Sequence, residues 1–73
     1  MREIHSEQIG DRRVALVETE TERYSVTIAV RGPKGTWEDI SLHSDQNLAL
    51  HTASLCYRLR TTEQQARTIH WRD

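Results

Sequence analysis

Cysteine is nearly missing from this sequence, and Cys56 alone cannot form an internal disulfide, a thiol-pair zinc knuckle or a CxxC redox site. No run approaches the roughly 18 consecutive apolar residues of a membrane span, and MREIHSEQ is charged where a secretory leader needs an apolar stretch. These absences predict a cytoplasmic protein with no membrane association. An excess of one charge is also lacking. The 10 Lys+Arg and 11 Asp+Glu leave a formal net charge of −1, so no bulk field draws the chain to nucleic acid or anionic lipid, and any such binding has to be local. Glycine and proline are sparse, at 3 and 1, and with 36% hydrophobic and 29% charged residues the composition suits a folded chain with a thin core.

At 73 residues the expectation is a single small α+β domain spanning 1–73, near the size where one core only just offsets the entropy of ordering the backbone. A thin core without a covalent staple favours burial of a second surface, which predicts a homodimer. Neither internal repeats nor low-complexity tracts break the chain.

The strongest strand signal is Tyr24 to Arg31, where Tyr24, Val26, Ile28 and Val30 alternate with Ser25, Thr27, Ala29 and Arg31. Gly32-Pro33-Lys34-Gly35 then puts proline where φ is fixed and glycine where a left-handed residue closes a turn. A return strand over Thr36 to His43 follows, with Ile40 and Leu42 on one face and Trp37, Asp39, Ser41 and His43 on the other. Upstream, Arg13 to Thr19 is β-prone through Val14, Leu16 and Val17, joined to the central strand by Glu20-Thr21-Glu22-Arg23. Gly10-Asp11 offers a turn to a fourth strand over Glu3 to Ile9, whose alternation is weaker. The fold class is thus a three- or four-stranded antiparallel β-meander packed against a C-terminal helix.

Near Ser44 the apolar spacing changes to every third or fourth residue, and Ser44-Asp45-Gln46-Asn47 supplies a capping oxygen and a first-turn acid. Counted at about 100° per residue from Leu48, the positions Leu48, Thr52, Leu55 and Leu59 form the stripe expected on the sheet, continued by Thr62, Ala66 and Ile69. Either the helix runs on unbroken or Thr62-Glu63-Gln64-Gln65 caps a second short helix after Arg60-Thr61. Opposite the stripe, Leu50, Ala53, Tyr57 and Trp71 form a second apolar face, either a partner surface or one covered by an N-terminal arm.

Catalytic or metal chemistry finds little footing. His5, His43, His51 and His70 show no HxH, HxxxH or HExxH spacing, and His51 and Cys56 stand about 140° apart on a helix. Cys56 has no neighbouring base and suits a small hydrophobe. Glu38 and Asp39 point to opposite faces of a strand, Glu18, Glu20 and Glu22 suit a solvated edge, and GPKG is too short for a phosphate loop. The expectation is no enzyme, no cofactor and no metal.

Two function classes lead, ahead of a third in which the chain is a subunit that completes an active site in a larger enzyme. The first is a non-enzymatic protein-interaction module, a small regulator or inhibitor whose partner-binding residues are Arg31, Trp37, Leu50, Tyr57 and Trp71, since buried aromatic and Arg side chains dominate interfaces. Its strands-plus-helix form is similar to that of small phage and mobile-element proteins, anti-CRISPR inhibitors among them. The alternative is DNA binding on the sheet face away from the helix, through Arg13, Arg31 and Trp37. Strands followed by a helix is an architecture similar to the plant AP2-type and integrase arm-type DNA-binding domains, although no motif residue is shared. Glu18, Glu20, Glu22, Glu38 and Asp39 in or beside the same strands oppose a polyanion.

Overall fold

The computed structural model describes residues 1–40 and 47–68, with backbone alone at Asp39 and Thr68. Four antiparallel strands, β1 (Arg2–Ile9), β2 (Arg12–Glu20), β3 (Arg23–Arg31) and β4 (Trp37–Asp39), lie side by side in chain order. One helix, α1 (Leu50–Thr68), packs on one face of the sheet, giving an α+β fold. Both sequence alternatives are resolved: the fourth strand exists, and the helix runs unbroken through Arg60-Thr61 to Thr68, while residues 69–73 lie outside the described residues. The hydroxyls of Thr61 and Thr62 donate back to the Arg58 carbonyl at 2.8 and 2.9 Å, so Thr62 is absorbed into the helix rather than capping a new one.

Each connection follows from its turn residues. Gly10 adopts φ 61 between the paired Ile9 and Arg12, as the first central position of a two-residue hairpin requires. The Gly35 amide donates to the Gly32 carbonyl at 3.0 Å, closing a turn with Pro33 at its second position, while Gly35 takes φ 80. Between β2 and β3 the left-handed residue is Glu22, φ 59, beside a register shift between Glu18 and Glu20.

Register divides the sheet into two faces. Val14 pairs with Ile28 and Leu16 with Val26, and these turn toward α1. The core is Ile9, Val14, Leu16 and Val26 from the sheet with Ala53 and Tyr57 from the helix; Val14 and Ala53 keep no exposed surface. Burying side chains of this size contributes about 1.5–3 kcal/mol each. Ala53, lacking bulk, lets the helix backbone approach closely.

Two expectations about the helix are corrected. It begins at Leu50 and not at Ser44, because Leu48 is committed to an extended bridge: the Tyr24 amide donates to the Leu48 carbonyl at 2.8 Å and the Leu48 amide returns a bond at 2.9 Å. Asn47, at φ 62, makes the bend that permits this, and Arg23 Nη1 holds the Asn47 carbonyl at 3.0 Å. The expected cap residues Ser44, Asp45 and Gln46 lie outside the described residues. The second concerns the helix face that packs: the stripe of Thr52, Leu55 and Leu59 assigned to the core is the outward one. Leu55 and Leu59 are 52% and 55% exposed, whereas Ala53 and Tyr57 face the sheet. Leu48 does reach the core, but from the strand side.

The return strand is also shorter than expected. β4 pairs three residues with β3, and the Ile40 amide adds one bond to the Ile28 carbonyl at 2.8 Å; Ser41, Leu42 and His43 lie outside the described residues.

Candidate functional site

By register Arg13, Ala15, Val17, Ser25, Thr27, Ala29, Arg31 and Trp37 lie on the sheet face away from α1, as expected, but Ala15, Val17 and Ser25 in its middle are buried and only its ends are open. Its two ends differ. At the β3–β4 end Arg31 and Trp37 are cross-strand partners, and the guanidinium lies 5.0 Å from the centre of the indole ring, a cation–π contact on an open surface. At the β1–β2 end Arg13 is engaged. Its Nη2 donates to both Glu3 oxygens at 2.8 and 2.9 Å and to Ser6 Oγ at 3.2 Å. A guanidinium neutralised in this way offers little to a phosphate, so the structure brings together only two of the three residues expected to read DNA.

On the helix, the expected partner face and core face exchange roles. Tyr57, expected to meet a partner, is 7% exposed and belongs to the core, with its ring edge-on to His5 at 5.5 Å. Burial first, then the Glu7 charge, pushes its hydroxyl up to about 12, although the oxygen completes no well-formed hydrogen bond with the carboxylate. Tyr24 is held above the ordinary value by desolvation and by Glu18. Leu50 is 47% exposed at the start of α1, and Trp71 lies outside the described residues. The residues left facing away from the sheet are Leu55 and Leu59, one turn apart and about 160° to either side of Tyr57 around the helix axis.

Sequence reasoning did not anticipate a third feature. Between the C-terminal half of α1 and the β3–β4 side of the sheet opens a cleft of about 410 Å³. Its apolar wall is Val26, Ile28 and Ile40, and its polar side is Arg12, Arg60, Glu63, Gln64 and Arg67. The helical residues recur at i, i+3, i+4 and i+7, a spacing that a search for apolar stripes passes over. No cluster of three or more His, Cys, Asp or Glu side chains suited to a metal occurs among the described residues, and no described helix is long and apolar enough to cross a membrane.

Comparison with protein-family models, with curated proteins and with solved structures finds no match to this chain.

Proposed function

We propose that this chain is a non-enzymatic protein-interaction module, a small regulator or inhibitor that docks on a protein partner through the outer face of α1. The observation that carries this reading is the pair Leu55 and Leu59, two large apolar side chains more than half exposed at adjacent turns. Arg58 and Thr62, both exposed, border the pair, so an apolar centre lies within a polar rim as in many interfaces. A second copy of the chain is one form such a partner takes. Support for nucleic-acid docking on the sheet narrows to Arg31 and Trp37, because Glu3 occupies Arg13.

Capture from the native host with wild-type protein and with the double variant Leu55→Glu/Leu59→Glu tests the reading, with sedimentation of both to detect self-association. A protein partner, or a dimer, lost in the double variant with its circular dichroism unchanged is the expected result. Partner binding that survives both substitutions, or recovery of nucleic acid in place of protein, would overturn it.

A further inference from the structure

We propose that the cleft beside the C-terminal half of α1 binds a small phosphate monoester, its phosphate held by Arg12 and Arg67 and its apolar body laid on Val26, Ile28 and Ile40. This site is separate from the outer face of α1 and does not depend on it.

Charge selects the head group. Among the described residues, three guanidinium groups and one carboxylate line the cleft, so 3 − 1 leaves a charge of +2 from them in a chain whose formal net charge is −1. Arg60 is already engaged by Glu63 at 3.5 Å and acts as wall. Arg12 and Arg67 make no hydrogen bond or ion pair among the described residues, although Arg12 is half-buried against the sheet. Two guanidinium groups with no partner among the described residues, both lining one space, match a dianion, and their planar forks suit phosphate oxygens.

A second observation points into the same space. Gln64 lines the cleft and is 3% exposed, yet its Oε1 has no hydrogen-bond partner among the described residues. A buried carbonyl oxygen without a partner is destabilising, and native structures rarely keep one without cause. A turn of the amide about its last torsion presents its NH₂ to a phosphate oxygen, or its carbonyl to a ligand hydroxyl. The volume lies in the range of small-molecule sites, and the lining, three apolar side chains against five polar or charged ones, suits a charged head group with a small apolar body.

The test is titration of the ¹⁵N-labelled chain with phenyl phosphate, with inorganic phosphate, benzoate and phenol as the head alone, a monoanionic head and the neutral body. Saturable phenyl phosphate binding is expected to shift amides of residues 26–28 and 60–67. Inorganic phosphate, benzoate and phenol should each bind at least about 10-fold more weakly. Arg12→Ala/Arg67→Ala should weaken phenyl phosphate at least about 10-fold with the fold unchanged. Gln64→Leu should separate binding from stability, because removing an unpartnered buried carbonyl oxygen leaves Tm unchanged or higher while weakening phenyl phosphate. Absence of saturation at millimolar phenyl phosphate, benzoate binding as tightly as phenyl phosphate, or undiminished affinity in the double arginine variant would refute the site.

Discussion

Truncating Tyr57 to alanine should remove much of this chain's stability, and the same truncation at Leu59 should remove little. Tyr57 is 7% exposed, packs in the cluster of Val14, Leu16 and Val26, and meets His5 edge-on. Cutting a buried aromatic ring to alanine costs about 3–5 kcal/mol, from lost transfer energy and the cavity left behind. The unpartnered hydroxyl places the expected cost toward the lower end, since deleting it relieves a small penalty. A chain of 73 residues has a total stability of about 4–11 kcal/mol at typical values per residue. The loss is therefore a large part of the whole, and at about 4–8 °C per kcal/mol it lowers Tm by at least about 12 °C. Leu59 is 55% exposed, so its truncation forfeits under about 1 kcal/mol of burial, and the higher helix propensity of alanine offsets part of that. Urea unfolding of Tyr57→Ala and Leu59→Ala, followed by far-ultraviolet circular dichroism, gives both values under one condition. If Leu59→Ala lost as much as Tyr57→Ala, the helix would face the sheet with its other side, and the packing argument would fail.

Two further outcomes follow from the same structure. Tyr57 titrates at about 12 in the folded chain against an ordinary 10.0, so its contribution is fully present below pH 10 and is lost as pH rises from 10 to 12; the upper bound is about 3 kcal/mol. Chemical denaturation across that interval should show a steeper decline in wild type than in Tyr57→Phe, and identical slopes would contradict the burial of this hydroxyl. Gly35→Ala places a side chain at φ 80 where no atom lies within 4 Å, so the cost is conformational alone, about 1 kcal/mol; a loss above about 3 kcal/mol would mean that the turn is packed and not open.

The meander was legible from residues because alternate side chains of a strand take opposite faces and the set facing α1 is the more apolar, and because Gly10, Pro33 and Gly35 sit where turn geometry needs them. Tyr24 to Arg31 is the clearest case, since its alternation and its following turn agree with the observed register. Arg31 and Trp37 could be placed on one face for the same reason, although their stacking could not. The helix was harder. Its two apolar stripes compete, and counting leucines favours the pair that in fact faces outward, because leucine is the more hydrophobic while Tyr57 and Ala53 carry the better shape for the sheet.

Only long-range contacts decided what remained. The bridge between Tyr24 and Leu48 delays the helix to Leu50 and anchors the chain ahead of it, and no local propensity reports a bond formed across 24 residues. Glu3 silences Arg13 across the β1–β2 hairpin, which makes a candidate phosphate contact into a structural ion pair. The cleft likewise exists only once Arg12 from the sheet meets Arg60, Gln64 and Arg67 from the helix. Sequence alone thus determined element type, turn positions and strand faces, because each depends on neighbours a few bonds away. Tertiary structure decided which helix face is core and which charges are engaged, because those depend on residues that only folding brings together.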